Sequence, residues 1–335
     1  MPVDIVFAFY PLFVTYNHGI ALLSALCKQA GIIPGLYVLD NLKAWRAFLE
    51  QNPAPTVGFS CVVEDDYILS LPFMQAAAEA GREVLLGGVY PRRKHLDPPV
   101  GVDWLCRGEG ELLPQYLQVD NLHIFIRTHY EKDLNKLPLP DYELFRNIPF
   151  DRDFPVARGR QVLPYSSSRG CPYGCVFCEI RHQPQGVRIR TKVKEDLEEI
   201  VGRYQPEIIY FMDETLPYYD AAWRESWGNF QYPFIAYIRA DIPKNLLYWL
   251  HSRGMIGAMF GVESGNEQYR NEVLQKGLKD DDLWRTVKLC QELDIEYAAF
   301  FMHGCPGETW EMQGETARMM GRIGGFPLLY QYRPL

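Results

Sequence analysis

The chain has 335 residues, 47% of them hydrophobic and 14% aromatic, a composition that suits two globular domains and excludes disorder. Its formal charge of −8 argues against a nucleic-acid surface, and the short run Arg92-Arg93-Lys94 reads as a solvated turn or a phosphate contact. No leader and no uninterrupted apolar run of about 18 residues is visible, so no membrane span is expected, and eight cysteines without a disulfide framework suit the cytoplasm.

The first 120 residues alternate apolar runs with helical patterns. Residues 3–9 read as a buried strand, after which Leu22, Leu23, Leu26, Cys27 and Ala30 share one helix face that Gly31 terminates. Strands at 35–39, 56–60, 83–88 and 103–106 follow, with helices around 44–49 and 74–80 between them. This rhythm predicts a doubly wound parallel sheet, whose ligands sit beyond the carboxyl ends of the strands. Ser60 lies at such an end and can donate a hydrogen bond. Gly87 and Gly88 lie at another, where bare backbone lets a flat or bulky group approach, although a simple turn is the plainer reading. Cys27, Cys61, Cys106 and Cys290 read as small core residues.

Residues 121–160 change character. Leu137-Pro138-Leu139-Pro140-Asp141-Tyr142 and further prolines at 149 and 155 deny long helices and mark a linker. A second domain, 161–335, opens with a strand at 161–166 that delivers a cysteine loop. Leu197, Ile200, Val201 and Tyr204 then define a helix face, and a strand at 207–212 ends at Asp213-Glu214. Strands at 233–239, 257–262, 295–302 and 328–332 bring the total to six β/α units. One intervening helix has Pro243 near its start and Gly254 past its end. Active groups in parallel barrels sit at the strands' C-terminal ends, which is where the polar residues fall.

The loop itself is Ser168-Arg169-Gly170-Cys171-Pro172-Tyr173-Gly174-Cys175-Val176-Phe177-Cys178. Three thiolates at this spacing can surround one centre, and thiolates are soft ligands for iron–sulfur clusters, zinc or copper. A cubane cluster normally takes four cysteines. With Cys171, Cys175 and Cys178 alone, one iron is left open for a small molecule. The rival is a structural zinc knot, which usually shows two paired cysteine or histidine clusters.

The pattern C-x-x-x-C-x-aromatic-C resembles the motif of the radical S-adenosylmethionine (SAM) superfamily. Arg169-Gly170-Cys171-Pro172-Tyr173-Gly174-Cys175 with Phe177-Cys178 resembles its cobalamin-binding branch, as does Arg107-Gly108-Glu109-Gly110-Glu111 at the end of the first domain. The resemblance implies an N-terminal doubly wound, Rossmann-like cobalamin-binding domain over 1–120, then a partial (β/α)6 TIM-type radical SAM barrel over 161–335. It implies a [4Fe-4S] cluster on the three cysteines, its open iron chelated by SAM. It places Phe177 against adenine, Asp213 and Glu214 at the SAM amino group, and Arg239 at the SAM carboxylate or a substrate anion. Phe260-Gly261-Val262-Glu263-Ser264-Gly265 resembles the family's Gly-x-Glu-Ser, so Glu263 and Ser264 are expected at the ribose or methionyl part of SAM. Met302-His303-Gly304-Cys305-Pro306-Gly307-Glu308-Thr309 resembles Gly-x-Pro-Gly-Glu-Thr. There His303 and Cys305 are candidates for substrate chemistry and Glu308 for a helix cap. Ser60, Gly87, Gly88 and Tyr90 are the expected cobalamin contacts. The D-x-H-x-x-G motif that supplies a cobalt-ligating histidine is absent; His18 is the nearest substitute, with capping or packing the plainer role.

The implied chemistry is reductive cleavage of SAM to methionine and a 5′-deoxyadenosyl radical, hydrogen abstraction from an unactivated carbon, and methyl transfer from methylcobalamin. Both cofactor sites would then face one cavity. The partners are SAM, cobalamin, a small-molecule or peptide/protein substrate, and an electron donor such as ferredoxin or flavodoxin. Three alternatives stand beside this: a cobalamin-dependent rearrangement, cyclisation or reduction; a radical SAM enzyme that has lost cobalamin; and a non-enzymatic corrinoid-binding module. Methylthiotransferases share the core, but their extra cysteine set and RNA-binding domain are not seen in this sequence.

Overall fold

The computed structural model describes residues 3–12, 16–94, 97–118, 130–147, 155–178, 180 and 186–332, the side chains of 92–94 excepted. The basic run at 92–94, Pro149 and much of the expected linker therefore lie outside the described residues or side chains. The chain divides into two compact units, residues 1–132 with 136–150 and residues 133–135 with 151–335.

The first unit is built on five parallel strands: β1 (Ile5–Phe9), β2 (Pro34–Val38), β3 (Thr56–Ser60), β4 (Glu83–Gly87) and β5 (Trp104–Leu105). They are ordered β2-β1-β3-β4-β5, with Val6 in register with Gly35 on one side and Val57 on the other. Strands buried on both faces must be apolar throughout, and Ile-Val-Phe-Ala-Phe of β1 is fully buried. Alternate residues choose the face. Val6 and Ala8 pack with Trp45 and Leu49 of α2 (Leu42–Gln51) and with Phe73, Met74, Ala76 and Ala77 of α3 (Glu64–Glu79). The Trp45 indole donates to the Phe73 carbonyl at 2.9 Å, so its buried N–H is satisfied.

α1 (His18–Gln29) packs against α5 (Leu113–Tyr116) and a 3₁₀ turn at Tyr142–Phe145, and the Phe145 ring reaches Phe9. Asp141, in the Pro-rich segment, accepts from Ser24 at 2.5 Å and pairs with Lys28 at 2.7 Å, pinning that segment to α1. α3 begins at Glu64 rather than near Met74. The Asp66 carboxylate accepts from the Val62 and Val63 amides and caps the extra turns. A short α4 (Val89–Lys94) follows β4.

The strand order reverses between β1 and β3, the switch point where open α/β sheets take their ligands. Asn17, after β1, caps α1 through the Ile20 amide at 3.0 Å and also donates to Ser60 at the end of β3 at 3.1 Å.

The second unit holds a six-stranded parallel sheet in sequential order. Its strands are β6 (Val162–Tyr165), β9 (Ile208–Phe211), β10 (Phe234–Tyr237), β11 (Met255–Glu263), β12 (Glu296–His303) and β13 (Phe326–Gln331). Between them run α6 (Val193–Tyr204), α7 (Ala221–Glu225), α8 (Lys244–Ser252), α9 (Asp280–Glu292) and α10 (Trp310–Ile323), the β/α alternation of a partial barrel. Phe211 and Phe234 pack with Trp223 and Trp227, and Trp249 joins the two indoles from α8. At the opposite, opening ends of the strands, Val156 and Ala157 pack with Val162, Ile208, Ile235, Met259 and Ala298. The sequence reading did not foresee a small antiparallel ribbon, β7 (Ser168–Arg169) with β8 (Arg188–Ile189), nor a π-helical turn at Tyr269–Val273. Among the described residues no helix is long and apolar enough to cross a membrane.

Candidate active site around the cysteine loop

Strand β6 feeds the loop and β7–β8 close its neck, so Cys171, Cys175 and Cys178 emerge beyond the carboxyl end of the sheet. Cys175 is buried and the other two are half-buried. The Cys178 amide donates to the Cys175 carbonyl at 3.1 Å, folding the last two thiols into one turn. Burial pushes the Cys171 thiol up, and its two neighbours Cys178 and Cys175 oppose its ionisation further. Among the described residues no three ligating side chains converge at metal-coordinating separations. The donor set nonetheless fits a soft metal centre: three thiols on one loop, close enough to interact electrostatically.

Asp213 and Glu214 end β9, and the structure separates their roles. Asp213 is fully buried and accepts from the Ser167 amide at 3.3 Å, the Ser167 hydroxyl at 3.1 Å and the Ser168 hydroxyl. Trp223 completes the cluster by donating to Ser167 at 2.9 Å. Its acceptor positions are filled by the loop's own neck, so the expectation that Asp213 meets the SAM amino group is corrected: it anchors the loop. Burial raises its carboxyl to about 7 despite those hydrogen bonds. Glu214 is exposed and accepts from the Gly170 amide at 3.2 Å, one residue before Cys171. Beside it, the Thr215 hydroxyl is buried with no hydrogen-bond partner, a polar atom a ligand would satisfy.

Arg239 also departs from expectation. Its guanidinium grips Asp241 through two bonds of 2.9 Å, donates to the Lys276 carbonyl at 2.8 Å, and lies 4.1 Å from the centroid of the Tyr173 ring. The fork that would clasp a carboxylate ligand already clasps Asp241. Arg239 therefore braces the cysteine loop through Tyr173.

Glu263 ends β11 with φ +73, a left-handed conformation that costs a non-glycine residue energy and that neighbours must impose. Its carboxylate pairs with Lys276 at 2.8 Å, and both side chains are about nine-tenths buried. The Lys276 ammonium lies 5.8 Å from the centroid of Phe177. The Val176 amide donates to the Leu274 carbonyl at 3.1 Å, so residues 274–277 run along the cysteine loop. Ser264 is buried; its hydroxyl accepts from the Asn266 amide and its carbonyl from Arg270, which fix the turn after β11.

Phe177 packs with Tyr269, Leu274 and Cys305. Cys305 is a buried thiol raised to about 11, with burial the main cause. Glu308 accepts from the Gly304 amide at 2.6 Å and holds that turn, while Thr309 is the cap of α10. His303 ends β12, and its carbonyl accepts from the Tyr332 amide.

In the first unit Ser60 is engaged by Asn17 at the switch point. Tyr90 donates to Glu64 at 3.1 Å, with its ring 5.1 Å from Tyr67. Gly88 has φ +106, and a β-carbon there would lie 2.7 Å from the Cys61 nitrogen and closer still to its carbonyl oxygen. The missing side chain of Gly88 thus faces protein backbone, which corrects the reading that it clears room for a ligand. A β-carbon on Gly87 would make only ordinary contact, with Cys106 at 3.5 Å. His18 is the first residue of α1, with its ring beside Tyr16.

Sequence reasoning missed Lys276, Ser167, Trp223 and Asn17, and gave Ser168, the first residue of the loop, no role of its own. The Ser166-Ser167-Ser168 run leading into the loop was the available signal for the anchor.

Residues 165–320 match the radical SAM superfamily. A methyltransferase of Pyrococcus horikoshii described as uncharacterized is 26% identical over 202 residues, 57% of this chain and 42% of that protein. The bacteriochlorophyllide d C-12(1)-methyltransferase of Chlorobaculum tepidum is 26% identical over 106 residues, 30% of this chain and 22% of its own length. The chain thus spans less than half the length of these two relatives. Among solved structures, the radical SAM methyltransferase TsrM of Kitasatospora setae, with tryptophan substrate and a SAM analogue bound, superposes with a TM-score of 0.70 at 14% identity, covering 97% of this chain and 72% of TsrM. A second TsrM structure, holding cobalamin and a [4Fe-4S] cluster, gives 0.69 at 13% identity. Residues 165–320, just under half of the chain, are thus a radical SAM domain.

Proposed function

We propose that this chain is a cobalamin-dependent radical SAM methyltransferase acting on an unactivated carbon of a natural-product precursor or a peptide/protein side chain. The observation that carries the reading is the loop of three thiols, anchored through Asp213 and Glu214 at the carboxyl end of β9 inside a radical SAM domain. The likeness to TsrM in fold, over nearly the whole chain, supports a cobalamin-binding, Rossmann-like role for the first unit.

Cys171, Cys175 and Cys178 would hold a [4Fe-4S] cluster, which when bound supplies the electron that cleaves SAM, while cobalamin carries the methyl group. Glu214 offers an exposed carboxylate one hydrogen bond from the loop, the right chemistry for the SAM ammonium. Thr215 adds an unfilled hydroxyl. Phe177 and its backbone form the apolar side, and Glu263, held by Lys276, presents a fixed carboxylate for a ribose hydroxyl. Ser60 with Asn17 marks the crevice of the first unit where cobalamin would lodge, with Tyr90 on the neighbouring helix. A one-electron donor of the ferredoxin or flavodoxin kind completes the reaction.

The test is anaerobic reconstitution with iron, sulfide and cobalamin, then incubation with methyl-labelled SAM, a strong reductant and candidate substrates. The expected result is a brown iron protein that binds cobalamin, forms 5′-deoxyadenosine and passes label to product. Zinc in place of iron, or iron without SAM cleavage, would overturn the reading. SAM cleavage with an unlabelled, altered product would move it to rearrangement, cyclisation or reduction.

A further inference from the structure

We propose that Glu263 and Lys276 form a charge pair that sets the reduction potential of the centre on the cysteine loop, Lys276 cancelling a carboxylate that would otherwise oppose the incoming electron. The inference rests on the proposed cluster at Cys171, Cys175 and Cys178 and concerns its electrostatics, which no motif describes.

The argument begins with charge in a poorly screened place. The ammonium and carboxylate are 2.8 Å apart, and their side chains are only 11% and 9% exposed. Buried charges act through protein rather than water, so each is felt by neighbouring groups far more than a surface charge. The pair stands beside the thiol loop. Lys276 lies 5.8 Å from the ring of Phe177, the residue between Val176 and Cys178. The potential of an iron–sulfur centre depends on net charge and hydrogen bonding around it. A cation favours the reduced, more negative form, and an anion opposes it.

The second step is that the pair is fixed. Residues 274–277 are tied to the loop by the bond from the Val176 amide to the Leu274 carbonyl, and tied from the other side by Arg239 on the Lys276 carbonyl. Gly261 leaves the pair its space: a β-carbon there would lie 2.7 Å from the Lys276 nitrogen and would overlap Glu263 Oε1. Glu263 keeps a left-handed backbone, φ +73, to reach this position. A surface ion pair needs none of these arrangements. Their cost is consistent with a charge balance that the site requires.

The experiment is redox titration of the reconstituted cluster, followed by its visible absorption and by electron paramagnetic resonance, without SAM. Glu263→Gln leaves Lys276 uncancelled and should raise the midpoint potential. Lys276→Met leaves Glu263 uncancelled and should lower it. Lys276→Arg should stay near the wild type, and the double variant Glu263→Gln/Lys276→Met should lie between the single variants. Opposite signs are the deciding feature, because mere loosening of the loop would move both single variants the same way. Unchanged potentials, or shifts of one sign, overturn the inference. If Lys276→Met fails to fold, Glu263→Gln alone decides it: a rise supports the pair, and no change or a fall refutes it. Iron content and spectrum of the wild type are measured first. An absent cluster there defeats the proposed function, whereas a normal cluster with insensitive potentials defeats only this inference.

Discussion

A β-carbon on Gly261 would occupy the space that the Glu263 carboxylate already fills, two residues further along the same strand. The glycine and the acid therefore belong together, and Lys276 is the third member because the same β-carbon would press on its nitrogen. Gly261→Ala should displace the pair and cost about 1–3 kcal/mol in urea unfolding, the usual penalty of overpacking. Because residues 274–277, which run along the cysteine loop, would shift with it, reconstituted iron should also be retained less well. Unchanged stability with normal iron content would contradict this.

Two adjacent glycines give a sharper contrast. Gly88→Ala must force a positive φ on alanine and drive a methyl group into the Cys61 backbone. A loss of more than about 2 kcal/mol is expected. Gly87→Ala meets only Cys106 at ordinary distance and should change stability by less than about 1 kcal/mol. Denaturant midpoints of the two variants, measured side by side, check the pair.

Asp213 makes stability depend on pH. Its carboxyl ordinarily titrates near 3.8 and is raised to about 7 in the folded chain, chiefly by burial. Between those values the folded state holds a proton that the unfolded state releases. This contribution is complete below about pH 4, declines as pH rises and is gone above about pH 7. Asp213→Asn removes the titration and should flatten the stability profile between about pH 4.5 and pH 7.5 relative to the wild type. Chemical denaturation at both ends of that window gives the slopes, and parallel profiles would refute the assignment.

Arg239→Lys keeps the charge and discards the fork. It gives up one of the two bonds to Asp241, the bonds to the 276 and 277 carbonyls, and the stacking on Tyr173. A cost of about 1–3 kcal/mol is expected. Proteolysis of the cysteine loop should quicken, which limited digestion of the metal-free protein would show.

How far the sequence reveals this molecule depends on the kind of signal. Strands buried on both faces are continuous apolar runs, so β1, β3, β9 and β12 are legible within a residue or two. The ribbon β7–β8 is not, because two-residue strands leave no periodicity. The acid pair at 213–214 announces itself. Which of the two carboxylates faces inward depends on Ser167, Ser168 and Trp223, and Trp223 arrives from 10 residues beyond Asp213. Arg239 reads as a ligand residue because only Asp241 among its partners is near in sequence, while Tyr173 and the 276–277 backbone are remote. Lys276 sits in an unremarkable polar stretch and acquires meaning only from Glu263 across the turn.

Val156 and Ala157 precede the point where composition suggests the catalytic half begins, yet they are the stopper in the floor of its sheet. The Ala157 amide is tied to Glu296 at the foot of β12 by a 2.7 Å bond, and Arg158 lies over Phe326. Trimming the polypeptide to start at Gln161 would uncork that floor and wet the apolar feet of five strands. The radical SAM half can be cut out only with a tail of the preceding connector still attached.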